Sequence, residues 1–286
     1  MEIPPFQRIA VVGAGLIGGS VLLAGARRGL AAGFSCWSRS EASRRLLADL
    51  GVATVHAQVE DCVRGADLVV VATPVDRIEE TFAAIAPALA PGALVTDAGS
   101  VKVAILRAAG RLPASVTFVG AHPMAGSEKA GAAHASAELY AGRACFITPT
   151  GAEPRAAVDR VTAFWRGLGC RTSECTAEHH DEIVAAISHV PHAAASALML
   201  AVGDQPGFRV DAAGSGLRDA TRIAAGEENL WLGILLANAP HVVAGLRSLE
   251  ARVAELRGAV ERGDAATVNR LLAEARVARQ SLDRPA

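Results

Sequence analysis

The sequence predicts an α/β protein in which a doubly wound, mostly parallel sheet is followed by an all-helical region. Short apolar runs alternate with helical patterns up to about Cys170, as strands and helices alternate in parallel sheets. From about Thr176 this alternation stops and helical periodicity continues to the end of the chain. We therefore expect two domains, at residues 1–174 and 175–286.

The composition is that of a folded protein with no bias toward a charged partner. Of the 286 residues, 51% are hydrophobic and 20% are charged, which argues against an intrinsically disordered chain. A formal net charge of −1 gives no overall attraction to nucleic acid or to an anionic membrane. The five cysteines form no C-x-x-C pair and no secretion signal is evident, so we expect a reduced, cytoplasmic protein.

The first strand and helix of the chain enclose a glycine-rich turn. An apolar run at residues 9–12 precedes a G-x-G-x-x-G pattern, and a helical pattern follows it. This order is typical of Rossmann-type dinucleotide binding, because the helix N-terminus offers unpaired N–H groups to a pyrophosphate. A tight structural turn and the glycine turn of a nucleoside-binding methyltransferase are the alternatives. The predicted cofactor-binding residues of this turn are Gly13, Gly15, Leu16, Ile17 and Gly18.

The end of the second predicted strand, at residues 34–37, bears on the choice of cofactor. NAD-binding folds of this type place an acidic residue there for the ribose 2′-hydroxyl, whereas this chain has Ser38, Arg39 and Ser40. A hydroxyl beside a guanidinium suits a 2′-phosphate. We therefore expect NADP rather than NAD, with NAD still possible. Arg44 and Arg45 are alternative sources of the charge.

Polar residues follow the later strands of the predicted sheet. Strands are expected at 52–55, 67–72, 93–97, 116–120 and 144–148, with helices at 41–50, 58–64, from a cap at Asp76 to Leu89, and at 153–168. Thr73 with Pro74, Ser100 and His122 each follow a strand, and ligands of such sheets bind beyond the carboxyl ends of the strands. Taken singly, Ser100 could cap a helix and His122 could belong to a turn. Together they predict a cluster around a nicotinamide, and so an enzyme.

The helical region begins with a long alanine-rich helix expected at residues 178–202, which is better explained by burial than by a membrane span. His189 and His192 lie three residues apart on it, but no acidic or cysteine partner completes a ligand set, so we expect no metal site. Apolar residues recur at four- and three-residue steps from Val242 to Val260. This seam suits dimer packing or burial within one subunit.

Five segments, taken together, identify a family. They are GAGLIGGS (13–20), DAGSVK (97–102), GAHPMAGSEKAG (120–131), SHVPH (188–192) and RDATRIA (218–224). In this order they resemble the prephenate/arogenate (cyclohexadienyl) dehydrogenases of tyrosine biosynthesis, from about residue 8 to about residue 260. The resemblance implies oxidative decarboxylation of prephenate, arogenate or both with hydride transfer to NAD(P), and a helical domain that forms a homodimer.

The resemblance also implies roles for individual residues. His122 corresponds to the catalytic base, and Ser100 to the serine that hydrogen-bonds the ring hydroxyl. The residues it places at the substrate are Arg222, which would hold a carboxylate, and His192, Glu128 and Trp231; Ser127 and His189 of the same motifs are expected there too. Two departures from the family pattern are Ser38 in place of an acidic residue and Gly214-Ser215-Gly216 in place of three glycines. No amino-acid-sensing regulatory domain is expected.

Two other functions use similar features. A β-hydroxyacid dehydrogenase of similar fold would rely on a lysine in its helical domain, whereas the two lysines here, Lys102 and Lys129, precede that region. A non-catalytic NADP-sensing dimer would keep the glycine turn but would not need Ser100, His122 and Arg222 together.

Overall fold

The computed structural model describes residues 6–126 and 131–283. The chain forms two compact units that divide between Ala239 and Pro240. The first unit holds the sheet and the helices packed on it, and the second consists of two long helices. The predicted boundary between residues 174 and 175 stays a prediction.

The described residues contain one eight-stranded sheet, which confirms the predicted α/β class. Its strand order is β3-β2-β1-β4-β5-β6-β7-β8, and β6 and β7 are the antiparallel neighbours in an otherwise parallel sheet. The strands are β1 (Phe6–Val12), β2 (Ala31–Trp37), β3 (Thr54–His56), β4 (Leu68–Val71), β5 (Leu94–Asp97), β6 (Thr117–Pro123), β7 (Ala144–Thr148) and β8 (Arg171–Glu174).

Helices connect most of these strands and also follow the last of them. They are α1 (Leu16–Arg27), α2 (Glu41–Asp49), α3 (Val59–Val63), α4 (Ile78–Ile85), α5 (Val103–Ala108), α6 (Arg155–Gly167), α7 (Ala177–Val184), α8 (Val190–Gly203), α9 (Ser215–Thr221), α10 (Glu228–Ala237), α11 (Ala239–Glu261) and α12 (Ala265–Ser281). In the second unit, Asp264 caps α12 through the Thr267 N–H at 3.0 Å, and Arg270 of α12 pairs with Glu255 of α11 at 2.8 Å.

The sheet is buried on both faces, which explains its uninterrupted apolar runs. In β1, Ile9 and Val11 point into the core shared with α1 and α6, while Ala10 and Val12 point into the core shared with α3, α4 and α5. Neighbouring residues of a strand face opposite sides of the sheet, so a strand covered on both sides needs apolar residues at every position. The glycine turn therefore follows a stretch of strand, residues 9–12, that is fully buried.

The bounds of several elements differ from the sequence prediction; β2, for example, begins at Ala31 rather than at residue 34. Three further differences have a physical reason. The polar edge strand β8 was missed, because three of its four residues are exposed and give no apolar pattern. Strand β6 continues to Pro123, three residues beyond its expected end. The helix expected at 178–202 runs from Ala177 to Gly203 but contains a π turn at Ala185–His189. Pro191 lacks an N–H and its ring disturbs the preceding turn, which accounts for a wider turn at that point.

Among the described residues, the helical segment Ala177–Gly203 is long and apolar enough to cross a membrane by length and composition, and the bent pair Glu228–Ala237 and Ala239–Glu261 passes the same test when its helices are taken together. The buried side chains of Ala177–Gly203 include His180, Asp181, His189 and His192. Ionisable groups in such number are rare in a lipid-facing helix. Burial of these groups within the first unit accounts for them better.

Two glycines of the first turn are required by the backbone. Gly13 has a φ of +94°, and a Cβ there would lie 2.7 Å from the Ala72 carbonyl group. A Cβ on Gly18 would lie 2.5 Å from the Gly13 carbonyl oxygen and 2.9 Å from Val11. Around Gly15, by contrast, no atom lies within 4 Å of the Cβ position. The space beside Gly15 can therefore admit a ligand, while Gly13 and Gly18 hold the turn against the sheet.

We predict that Gly18→Ala lowers the thermal unfolding temperature, because the added methyl group meets backbone that cannot move aside. Overpacking of this kind costs about 1–3 kcal/mol. Gly15→Ala is the matched control and should unfold at the wild-type temperature while binding the expected reduced nicotinamide dinucleotide more weakly, as measured by fluorescence titration. An unchanged unfolding temperature for Gly18→Ala would contradict this account of the turn.

Candidate active site

The candidate site lies at the carboxyl ends of β4, β5 and β6, which are neighbours in the sheet. Thr73 follows β4 by two residues and Ser100 follows β5 by three. His122 was expected after the end of its strand, and this expectation was wrong, because His122 lies within β6. The parallel pairing of β6 with β5 ends at Val119, and from Gly120 the strand pairs with antiparallel β7 instead. His122 therefore extends beyond the parallel part of the sheet.

The glycine turn connects the ends of three strands. The N–H groups of Gly13 and Ala14 both donate to the carbonyl oxygen of Trp37, the last residue of β2, at 2.9 and 3.1 Å. On its other side Gly13 contacts the backbone of Ala72 and Thr73, after β4. The Thr73 hydroxyl lies 3.2 Å from the Thr81 hydroxyl of α4. The turn, the β2 end and the β4 end thus form one surface, and the open space at Gly15 fits a dinucleotide phosphate there.

The loop after β2 carries the residues predicted to select the cofactor. Ser38 is buried, Arg39 is exposed, and the Ser40 hydroxyl caps α2 by accepting the Ser43 N–H at 3.2 Å. The loop is held by Arg44, whose Nη1 donates to the Ser38 and Arg39 carbonyl oxygens at 2.5 and 3.0 Å.

Arg45, the remaining alternative source of charge, forms an ion pair with Glu41 at 2.6 Å. Of the three arginines considered from the sequence, Arg44 thus shapes the loop and Arg45 has an acidic partner. Arg39 stands at the end of β2, where a ribose 2′-substituent would lie in this kind of fold.

His122 is held by a second histidine that the sequence analysis did not single out. His122 Nδ1 lies 2.9 Å from His180 Nε2, and His180 Nδ1 lies 2.8 Å from Asp181 Oδ1. All three side chains are buried, His180 fully so. Asp181 also accepts the backbone N–H groups of Lys102 and Val103 at 2.6 and 2.9 Å. Helix α7 is thereby bound both to His122 and to the start of α5.

A buried ion pair fixes the backbone beside His122. The Nζ of Lys102 donates to Asp97 Oδ2 and, at 2.7 Å, to the carbonyl oxygen of Ala121. Asp97 Oδ1 accepts the Ala121 N–H at 3.0 Å, and its Oδ2 accepts the Gly99 N–H at 2.8 Å. Both Lys102 and Asp97 have no exposed surface. Both backbone groups of Ala121 are therefore held by side chains from the loop that bears Ser100.

Burial keeps the candidate base neutral. Desolvation lowers the pKa of His122 well below its usual value, and the nearby His180, Lys102 and His189 lower it further. Desolvation also lowers the pKa of His180, although the Asp181 carboxylate acts in the opposite direction. An uncharged imidazole with a free lone pair can accept a proton. His122 is therefore in the right protonation state for a general base at neutral pH.

His189 and His192 lie beside Trp231. The His192 ring stacks on the Trp231 ring at 3.5 Å between centroids and 13° between planes. Asn238 Nδ2 donates to the Asp181 carbonyl oxygen at 2.8 Å and contacts His189 Nδ1 at 3.1 Å. Burial lowers the pKa of His189 to about 4. His189 Nε2 and His192 Nδ1 are buried without a hydrogen-bond partner among the described residues, so each can serve a bound ligand.

Arg222 lies at the surface, at the start of a 3₁₀ turn that ends before Gly226. A Cβ on Gly226 would lie 2.5 Å from Trp231 Nε1 and 3.1 Å from His192 Cε1, so this turn leads directly to the stacked rings. Ser127 and Glu128 lie outside the described residues. Within residues 6–126 and 131–283 no group of three or more His, Cys, Asp or Glu side chains is arranged to hold a metal ion.

The sequence analysis did not identify the residues that hold His122 and its neighbours in place. These are Asp97, Lys102, His180, Asp181 and Asn238. Two of them were visible within the DAGSVK segment, where a carboxylate ends a buried strand and a lysine follows five residues later. The other three depend on contacts between distant parts of the chain, for which one sequence gives no signal.

Comparison with known proteins agrees with this geometry. Residues 27–174 match the family model described as the nucleotide-binding domain of prephenate dehydrogenase, and residues 176–274 match its dimerization domain. The cyclohexadienyl dehydrogenase of Zymomonas mobilis is 35% identical over 267 residues, which cover 88% of this chain and 90% of that protein.

Solved structures give the same result. Prephenate dehydrogenase of A. aeolicus, in complex with hydroxyphenyl propionate and NAD+, superposes with a TM-score of 0.90 at 27% identity, covering 98% of this chain and 100% of that one. Synechocystis arogenate dehydrogenase superposes with a TM-score of 0.81 at 26% identity, covering 96% and 100%. Both domain models and a full-length relative above 30% identity agree with the resemblance found in the sequence, and the chain belongs to the prephenate dehydrogenase family.

Proposed function

We propose that this protein is an NADP-preferring dehydrogenase of tyrosine biosynthesis that oxidises and decarboxylates prephenate, arogenate or both. The observation that carries the proposal is the buried, neutral His122 at the carboxyl edge of the sheet, beyond the glycine turn. The named functions of the relatives, cyclohexadienyl, prephenate and arogenate dehydrogenases, support the same reaction. Prephenate and arogenate differ in a keto or an amino side chain, and both are candidates.

The reaction requires a base, a group that orients the substrate hydroxyl and a group that binds a substrate carboxylate. When bound, the nicotinamide would accept the hydride that leaves C4. His122 takes the proton of the C4 hydroxyl while Ser100 orients that hydroxyl by a hydrogen bond. The resulting carbonyl accepts the electrons of the bond between C1 and its carboxylate, so CO2 leaves and the ring becomes aromatic. The oxygen at C4 regains a proton from the protonated His122, which restores the neutral base. Correct positioning of such groups contributes a large share of the rate.

The remaining proposed contacts divide between substrate and cofactor. We assign Arg222 to a substrate carboxylate, and the stacked His192 and Trp231 to the pocket wall. His189, Ser127 and Glu128 complete the proposed substrate set. For the cofactor, residues Gly13 to Gly18, Thr73 and Pro74 would surround the pyrophosphate and nicotinamide, while Ser38, Arg39 and Ser40 would take the 2′-phosphate.

The two alternative functions fit less well. A β-hydroxyacid dehydrogenase needs an available catalytic lysine, whereas Lys102 is fully buried and bonded to Asp97 and the Ala121 carbonyl oxygen. A protein that only senses NADP would have no use for a neutral histidine held by His180.

We infer that the protein acts as a homodimer in the cytoplasm. In the seam that begins at Val242, four residues remain exposed on α11 in the single chain: Leu249, Val253, Leu256 and Val260. Exposed apolar stripes of this size are typical of interfaces. Burial within one subunit, the alternative left open by the sequence, does not account for them.

The most direct test of the proposed function is the appearance of NADPH fluorescence on mixing protein and NADP with prephenate or, separately, with arogenate. Reduction with either compound supports the proposal, and the relative rates identify the preferred substrate. Failure with both compounds, using NADP or NAD, would refute it.

We predict that His122→Asn lowers kcat about 10²-fold or more, because general-base catalysis is typically worth about 10²–10⁴-fold. The dissociation constant for NADPH should stay close to the wild-type value. Steady-state kinetics and fluorescence titration measure the two effects. The exposed His134 provides a matched control, and His134→Asn should behave as wild type. Near-normal turnover of His122→Asn would remove it as the base.

Arg222→Ala should chiefly raise the KM for the substrate. A charge-assisted hydrogen bond contributes roughly 1.5–3 kcal/mol, equivalent to an increase of about 10- to 100-fold. Arg218, which donates to the Ala213 carbonyl oxygen on the preceding turn, is the matched arginine control. A collapse of kcat with an unchanged KM would show that Arg222 does not act by binding the carboxylate.

Arg39→Ala should lower kcat/KM for NADP by about 10- to 100-fold, which corresponds to the loss of one charge-assisted phosphate contact. The value for NAD should change little, since NAD has no 2′-phosphate. The paired Arg45 is the control, and Arg45→Ala should keep the wild-type preference. A wild-type enzyme that clearly prefers NAD would overturn the cofactor assignment.

A further inference from the structure

The hydrogen bonds that lead from Asp181 through His180 to His122 allow one consistent set of donors and acceptors. Asp181 accepts two backbone N–H groups, from Lys102 and Val103, and has a third contact with His180 Nδ1. Burial alone would raise the pKa of Asp181, but the hydrogen bonds from His180 and from the two N–H groups bring it below its usual value. The carboxylate is therefore ionised and can only accept.

This carboxylate decides which nitrogen of each ring carries hydrogen. His180 Nδ1 faces the carboxylate at 2.8 Å and must donate to it. In a neutral imidazole the other nitrogen is then an acceptor, so His180 Nε2 accepts from His122 Nδ1 at 2.9 Å. It follows that His122 carries its hydrogen on Nδ1 and its lone pair on Nε2. The opposite arrangement would direct a lone pair of His180 at a carboxylate oxygen.

We propose that His180 and Asp181 are positioning residues that hold His122 in the tautomer with an unprotonated Nε2. This rests on the proposed function of His122. The proton of the substrate hydroxyl forms a bond to His122 Nε2 as its O–H bond breaks. His122 keeps the hydrogen on Nδ1, so the imidazolium donates to His180 Nε2, while His180 continues to donate to the Asp181 carboxylate. The new positive charge thus lies two hydrogen bonds from a negative one.

The same carboxylate also fixes the loop of Ser100. Lys102 and Val103, whose N–H groups it accepts, follow Ser100 by two and three residues. Asp181 therefore contacts both the support of the base and the segment that carries the hydroxyl-orienting serine. Any shift of α7 would move the two together, which keeps their separation constant.

The test compares two replacements of His180. Gln places an amide oxygen near the position of His180 Nε2 and can still accept from His122 Nδ1, whereas Leu fills the space without an acceptor. We expect His180→Leu to lower kcat at least about 10-fold, which is part of the roughly 10²–10⁴-fold contribution of a general base. The KM should change little, and His180→Gln should keep most of the activity. His179→Ala is the control, because His179 is exposed and paired with Glu182.

The tautomer can be observed without turnover. In ¹⁵N-histidine-labelled protein, with the His122 signals identified from their loss in His122→Asn, we expect Nδ1 to be protonated and Nε2 bare in the wild type. The same state should persist in His180→Gln, and His180→Leu should show a mixture. The acid limb of the kcat/KM pH profile should move to lower pH in His180→Leu, because the imidazolium of His122 loses the acceptor of its Nδ1 hydrogen and is therefore disfavoured.

Each outcome decides the matter. Protonated Nε2 in the resting wild type, wild-type kcat in His180→Leu, or equal losses in the Leu and Gln variants would overturn the proposal. The last result would show that packing, not hydrogen bonding, is what His180 supplies. If neither prephenate nor arogenate is oxidised, the proposed function fails, whereas the labelled spectrum still reports the tautomer by itself.

Discussion

The buried ion pair between Asp97 and Lys102 is the interaction on which the site geometry depends. The parallel ladder between β5 and β6 ends at Val119, so the backbone of β6 has no strand partner on the β5 side when it reaches Ala121. Asp97 and Lys102 replace that ladder, because one accepts the Ala121 N–H and the other donates to its carbonyl oxygen. The position of His122, the next residue, is thereby set by two side chains from β5 and its loop.

Such a pair is costly to disturb. Removal of one partner of a buried ion pair leaves an uncompensated charge and typically costs about 3–5 kcal/mol. Neither side chain has exposed surface, and Asp97 also holds the Gly99 N–H beside Ser100. The Asp97–Lys102 pair therefore connects the loop that carries Ser100 to the backbone beside His122, and so sets the spacing of these two catalytic candidates. Both hydrogen bonds of the lysine, to Asp97 and to the Ala121 carbonyl oxygen, support the geometry of the site.

The sequence predicted those parts of the molecule that leave a pattern within a short stretch of residues. The buried part of β1, residues 9–12, is apolar at every position because both faces of the sheet are covered there. The glycine turn has a spacing imposed by close backbone contacts. Strand β8 escaped prediction because an exposed edge strand needs no apolar residues. The extension of β6 depends on an antiparallel partner more than 20 residues away. His180 and Asp181 were likewise hidden, since their importance comes from contacts with residues 58 and 79 positions away.

Burial both favours and opposes the role proposed for His122 as a base. Desolvation keeps the pKa of His122 low, so the ring is neutral before reaction, but the same desolvation would penalise the imidazolium that forms. The formal charges of the buried cluster offset this penalty. Asp97 and Asp181 are negative and Lys102 is positive, so the cluster carries one negative charge before His122 takes up a proton. When His122 accepts a proton, the cluster becomes neutral. A site with the Asp97–Lys102 pair alone would become positive at that step, so the second carboxylate, Asp181, is the group that makes a buried histidine workable here.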